Sequence, residues 1–232
     1  MIYLTGDTHG RDKKILGFIE LFGLTADDII VILGDAGFNY YGNERGDKRI
    51  KRRLNGAGAT IFCIHGNHER RPKSLPYYHE EIWRGGIVYA EEAFPNLLFA
   101  KDGEIYDLDL AGRKAVAIGG AYSVDKYYRL QRGIDWFADE QPSPEIKECV
   151  EAALENANWE VDIVLSHTCP AKYIPTEAFL RGIDQSTVDR GTEDWLDSIE
   201  DRLSYNHWFC GHWHIDKRID KMSFLMDGFE IL

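Results

Sequence analysis

Five short runs of consecutive apolar residues punctuate the chain: Ile2-Tyr3-Leu4, Ile29-Ile30-Val31-Ile32-Leu33, Ile61-Phe62-Cys63-Ile64, Ile163-Val164-Leu165 and Trp208-Phe209-Cys210. Each is too short for a helix and rich in β-branched or aromatic side chains, the pattern of a buried strand. Between the first two, Ile15, Phe18, Ile19 and Phe22 recur at helical spacing, predicting a crossover helix and a βαβ unit. Residues 97–99, 104–110 and Lys114–Ile118 read as further strands, the last two joined as a hairpin through Ala111-Gly112-Arg113. Pro142, Ser143 and Pro144 introduce an acidic helix with Ile146, Val150, Ala153 and Leu154 as its buried stripe, and a later helix is expected to be capped by Thr192. No repeat, linker or low-complexity tract interrupts this alternation, so residues 1–232 are expected to form one domain.

Every apolar run ends in a compact polar block. In order these are Gly6-Asp7-Thr8-His9-Gly10, Gly34-Asp35-Ala36-Gly37, Gly66-Asn67-His68-Glu69, Ser166-His167-Thr168-Cys169-Pro170 and Gly211-His212-Trp213-His214. In layered α/β folds, ligands gather beyond the carboxyl ends of the strands, so five such loops can converge on one crevice. Besides Glu69, the blocks supply two carboxylates, a carboxamide and five imidazoles, a donor mix accepted by Mn, Fe, Zn, Ni or Co. Singly, Asp7 and Asp35 would pass for turn residues and His167 for a loop histidine. His212 and His214 stand two apart, which in an extended segment puts both rings on one face and turns Trp213 away into packing. Ligand-type residues at five successive strand ends point to a dinuclear hydrolytic site.

In these motifs, from Asp7 to His214, the chain resembles the calcineurin-like metallophosphoesterases, whose pattern is Asp-x-His, Gly-Asp, Gly-Asn-His-Glu or Asp, a lone His, and Gly-His-x-His. The resemblance implies an α/β/β/α sandwich of two mixed β-sheets flanked by helices. It implies that Asp7, His9 and His214 hold one divalent metal ion, that Asn67, His167 and His212 hold a second, and that Asp35 bridges them. Metals about 3.5–4 Å apart can acidify a shared water towards a pKa of ~7 and stabilise both oxygens of an in-line displacement, so a bridging hydroxide attacking phosphorus is the implied chemistry. His68 would stay unbound and act as general acid towards the leaving oxygen. Glu69 is read either as orienting its neighbours by hydrogen bonds or as a surface ion pair with Arg70 or Arg71. One departure bears on substrate: the Val-Asp-Arg-Gly of the protein Ser/Thr phosphatases is replaced by Gly34-Asp35-Ala36-Gly37-Phe38-Asn39. Asp189-Arg190-Gly191 occurs later, where the family pattern gives it no role, and reads as loop.

The resemblance leaves three classes. A phosphomonoesterase acting on a small molecule or phosphopeptide stands first, a phosphodiesterase or nuclease second, and a catalytically silent binding scaffold third. Glycines and aromatics just after a strand, in residues 119–129 and Trp136-Phe137, suit a loop lining a pocket. Tyr122, Lys126 and Arg129 there are candidate substrate contacts, Arg129 because a planar guanidinium matches two phosphate oxygens; packing of a surface aromatic loop is the alternative. Residues 171–191 form a second candidate, as rim or lid. His65 in the third strand run, His79 in a tyrosine-rich loop and His207 before the last major strand read as structural.

Composition constrains the setting. The chain has 44% hydrophobic and 28% charged residues, and no apolar run approaches the ~20 residues needed to span a bilayer. Asp7 follows the first residue too closely for a signal peptide, and Cys63, Cys149, Cys169 and Cys210 lack Cys-x-x-Cys spacing, so free thiols in the cytoplasm are expected. A net charge of −12 argues against a general nucleic-acid binder. The local exception is the basic segment 45–53, where Ile50 and Leu54 suggest a helix with a narrow apolar stripe. It is either a solvated helix face or a device for steering substrate.

Overall fold

The computed structural model of the chain describes residues 1–42, 45–109 and 111–232. Its first half alternates strand and helix: β1 (Ile2–Thr5), α1 (Asp12–Phe22), β2 (Ile29–Ile32), α2 (Lys48–Asn55) and β3 (Thr60–Cys63). Four strands follow, β4 (His79–Trp83), β5 (Gly86–Ala90), β6 (Leu97–Ala100) and β7 (Ile105–Asp107), then β8 (Lys114–Ile118). The remainder comprises α3 (Lys126–Arg132), α4 (Pro144–Asn156), β9 (Ile163–Ser166), α5 (Gly191–Glu200), β10 (His207–Cys210), β11 (Lys217–Ile219), β12 (Met222–Phe224) and β13 (Glu230–Ile231).

These strands make two mixed sheets, ordered β13-β1-β2-β3-β6-β5-β4 and β11-β12-β10-β9-β8-β7. In each, four central strands run parallel (β1, β2, β3, β6 and β12, β10, β9, β8), with antiparallel strands at the edges. The period of two along a strand explains why the central runs are apolar throughout. Ile2, Leu4, Val31, Leu33 and Phe62 face Ala115, Ala117, Ile163, Leu165 and Phe209 across the space between the sheets. Their neighbours Tyr3, Ile30, Ile32, Ile61 and Cys63 turn outward to Ile15 and Ile19 of α1 and Leu54 of α2. On the other side Val116, Ile118, Val164, Trp208 and Cys210 meet Val150 and Leu154 of α4 and Leu196 and Ile199 of α5. The result is the α/β/β/α sandwich.

Several expectations need correction. Phe22 is exposed, and Phe18 stacks on Phe229 with ring centroids 3.7 Å apart. In the expected 104–110 strand, only Ile105–Asp107 is extended and Leu110 lies outside the described residues; the hairpin with β8 is present but its connection is longer. His79 opens β4 instead of lying in a loop, and His207 is the first residue of β10. Ser143 caps α4, accepting from Ile146 N at 3.3 Å with Pro144 at the first position. Thr192 does not cap α5: it lies inside the helix, and its hydroxyl donates to Gln141 Oε1 at 2.8 Å. The apolar stripe of α2 is Leu54 with the buried aliphatic stem of Lys51, while Ile50 is only partly covered.

Candidate metal centre and active site

The five polar blocks leave the carboxyl ends of β1, β2, β3, β9 and β10, three from one sheet and two from the other, and meet where the sheets abut. The turns are tight. His9, Asp35, His212 and His214 have φ of 46°, 49°, 65° and 52°, a left-handed conformation unusual for residues with a Cβ. His212 and His214 therefore converge through two left-handed turns and not, as expected, through an extended segment. Gly34, at φ 92°, lets the Asp35 loop pass beneath His167, whose ring a Cβ would overlap.

Two donor groups result. In the first, Asp7 Oδ2 lies 3.1 Å from His214 Nε2 and 3.7 Å from His9 Nε2, and these two imidazole nitrogens stand 3.0 Å apart. Asp7 Oδ1 accepts from the backbone N–H of His212 at 2.9 Å, but the buried Oδ2 has no hydrogen bond. Burial pushes the Asp7 carboxyl up, yet the imidazoles of His214, His167 and His9 outweigh it and hold Asp7 below the usual carboxylate range. Asp7 in turn raises His214.

In the second group, His167 Nδ1 donates to Leu33 O at 2.8 Å, which turns its Nε2 towards Asn67 Oδ1 at 2.7 Å. His212 Nδ1 lies 3.2 Å from the same oxygen. The carboxamide is oriented from behind: Asn67 Nδ2 donates to Ser123 Oγ at 2.8 Å, while both the hydroxyl and the N–H of Ser123 are given to Glu140. His167 Nε2 and His212 Nδ1 are thus gathered within hydrogen-bonding distance of one oxygen, Asn67 Oδ1. Asp35 sits between the groups, with Oδ2 3.7 Å from His9 Nδ1 and Oδ1 3.7 Å from His167 Nε2. The Asp7 oxygen left without a hydrogen bond and the clustered Asn67, His167 and His212 atoms fit divalent cations, and the oxygen and imidazole donor set suits them chemically.

Around these donors lie the residues that hold or face them. Glu69 is fully buried and accepts from the N–H groups of Ala36, Gly37 and Gly66 at 3.0–3.3 Å, fastening the Asp35 loop to the Asn67 loop. Among the described residues it makes no ion pair with Arg70 or Arg71: Arg71 bonds Asp102 at 2.5 Å and Arg70 packs over Phe137. Burial and the charge of Asp35 push the Glu69 carboxyl up to about 8. His68 gives its backbone N–H to Asp35 Oδ1 at 2.7 Å and turns its ring towards His9 and the open cavity. Burial lowers the His68 imidazole, opposed by Asp35.

A cavity of about 350 Å³ opens over the centre. Tyr122 and Arg129 line it, but the guanidinium of Arg129 is engaged by Asp125 Oδ2 at 2.8 Å and Asp135 O at 3.1 Å. Lys126 stands away from it, 4.1 Å over the ring of Trp136, and both cations belong to α3, a helix where a loop was expected. Arg190, read from the sequence as plain loop, lines the cavity, as does Trp213, which was expected to face away. Nothing from the basic segment lines it: Lys51 is buried against Glu91 at 2.7 Å and Arg53 pairs with Asp12. Ser123 and Arg190 were missed because one serine and one arginine in loops carry no spacing signal; the Asp-Arg-Gly triplet was the only cue.

A model of the calcineurin-like phosphoesterase family matches residues 1–216. The chain belongs to that family. It is a metal-dependent phosphoesterase, and none of its described helices is long and apolar enough to cross a membrane. No curated protein matches the phosphoesterase chain. Among solved structures it is similar to the phosphopantetheinyl hydrolase PptH from Mycobacterium tuberculosis, at 14% identity and a TM-score of 0.52. A second, the protein TT1561 of Thermus thermophilus, is 11% identical with a TM-score of 0.53. Each alignment covers 97% of this chain and 87% of the other, and at such identities the likeness is one of fold.

Proposed function

We propose that the chain is a dinuclear phosphomonoesterase, a single domain acting on a small molecule or phosphopeptide. Asp7, His9 and His214 would hold one metal, Asn67, His167 and His212 the other, and Asp35 both. The observation that carries this reading is the Asp35 carboxylate, whose two oxygens face opposite donor groups at equal 3.7 Å distances. Divalent cations such as Mn would supply an acidified water and neutralise charge on the phosphoryl oxygens. The protein does the rest. Asp35 is held by the His68 backbone and its loop by Glu69, so the donor groups keep their spacing. His68, projecting into the cavity, gives its ring proton to the leaving oxygen. The four thiols form no disulfide, which suits a cytoplasmic setting.

The test has two arms. Elemental analysis of the purified protein should find two metal ions per chain, and Asp35→Asn should lower both occupancy and rate; full occupancy with an unchanged rate would remove Asp35 from the bridge. Nitrophenyl phosphate should be hydrolysed faster than bis-nitrophenyl phosphate under Mn, because a diester offers the metals one fewer free oxygen. The reverse preference would assign a phosphodiesterase.

A further inference from the structure

The cavity has two unlike walls. One carries the donor residues and His68; the other comes mainly from residues 171–191, where Ile174, Phe179, Ile183 and Val188 line the cavity alongside Trp213, with Gln185, Asp189 and Arg190 as its polar members. Its aromatic members form a strip leading from the donors. The Trp213 ring lies edge-on to His212 with centroids 5.2 Å apart, Phe179 is tilted against Trp213 at 6.2 Å, and the Arg190 guanidinium lies 5.8 Å from the Phe179 centroid. Arg190 has no carboxylate within ion-pair distance among the described residues, so its charged plane is available at the far end of the strip.

Polar contacts tie this wall to the rest of the molecule at both ends and near its middle. Short 3₁₀ turns at Ala171–Tyr173, Thr176–Ala178 and Gln185–Thr187 shape it. Lys172 ties its start to Glu200 and Asp201, Lys217 pairs with Glu177 in its middle, and Gln141 bonds Asp189 at its end. A volume of about 350 Å³ is at the lower end of small-molecule sites, which bury most of a ligand against apolar walls and orient it with a few polar groups. A bare phosphate would leave the Phe179 wall wet.

We propose that Phe179, Ile183, Val188 and Trp213 form a subsite for a flat aromatic group carried by the phosphate ester, with the ester bond held between this wall and His68. The inference rests on the phosphoesterase reading and deepens it by naming the organic half of the substrate. Aromatic rings bring large apolar area and favour offset or edge-on contacts with one another, and a guanidinium plane stacks on the same faces. Continuity of the strip with the donors makes the ester itself the occupant, since a group seated on Phe179 and a phosphoryl group at the donors share one uninterrupted cavity.

Binding of non-hydrolysable phosphonates separates this claim from turnover and from leaving-group chemistry. Calorimetry on the metal-loaded protein should show 1-naphthylphosphonate binding at least about tenfold more tightly than methylphosphonate, as expected from burial of a ring against an apolar wall. Phe179→Ala and, independently, Ile183→Ser should each cut that ratio several-fold, with circular dichroism confirming that both variants fold. Equal affinity for the two phosphonates in the wild type, or a ratio unchanged in both folded variants, would overturn the subsite. If naphthylphosphonate binds selectively but no phosphate ester is hydrolysed, the subsite stands and the catalytic assignment falls. If esters are hydrolysed with no aromatic preference in phosphonate binding, the outcome is the reverse.

Discussion

Asn67, a proposed metal ligand, is oriented by residues outside the donor groups. Its carboxamide could point either way, and the direction is set by a chain of donations from Asn67 Nδ2 to Ser123 and from Ser123 to Glu140. Ser123→Ala removes the acceptor for Nδ2 while leaving every proposed donor in place, so metal affinity should fall about 10–100-fold with little change in thermal stability. Competition against a fluorescent chelator would measure it, and unchanged affinity would show that Asn67 is oriented without Ser123. His68 poses a different question, because its ring lies beside His9 on the cavity and belongs to neither proposed donor group. If it protonates the leaving oxygen, His68→Ala should slow esters of poor leaving groups by about 10²–10⁴-fold and nitrophenyl esters much less. Equal losses on both would leave it a purely electrostatic or positioning part.

At the scale of elements, the basic helix α2 owes its place to one buried cation. Lys51 Nζ meets Glu91 at 2.7 Å and lies 4.8 and 4.9 Å over the rings of Tyr77 and Tyr78, while Arg49 and Arg52 are exposed. Lys51→Ala should cost on the order of 3 kcal/mol because it strands Glu91 in a largely desolvated position, whereas Arg49→Ala and Arg52→Ala should stay within about 0.5 kcal/mol and leave kcat/KM unchanged. Denaturant midpoints for the three variants would decide; a rate loss in either arginine variant would restore the steering role. The sequence could mark this segment as helix with Ile50 and Leu54 on its apolar side, but not that Lys51 is buried too, since a buried lysine reads like any other charge. The same limit explains α3, none of whose residues is buried, and β4, exposed along four of its five residues: without an apolar stripe or buried alternation neither leaves a periodic signal. By contrast, the central strands were legible because both faces are covered, and the polar blocks because they end those strands. The left-handed turns at His212 and His214 were not legible, since spacing alone does not report φ.

The whole molecule is organised so that donors 205 residues apart, His9 and His214, touch only when the two sheets are packed. The first sheet contributes Asp7, His9, Asp35 and Asn67 and the second His167, His212 and His214, so bound cations would tie the sheets together at their carboxyl ends. Metal held by the folded chain and not by the unfolded one stabilises it by mass action, about 2.7 kcal/mol at a free concentration one hundred times the dissociation constant. For a chain of 232 residues that corresponds to roughly 5–10 °C in Tm. Chelation should therefore lower Tm by this amount, and returning Mn should restore it. In Asp35→Asn the metal-dependent part should shrink, because one of the two carboxylate oxygens and the negative charge facing both donor groups are lost, and the metal-free Tm gives the baseline for folding of the variant. A Tm indifferent to chelation, in a protein shown by elemental analysis to have released its metal, would mean that sheet packing alone sets the donor spacing and that cations enter a site already built.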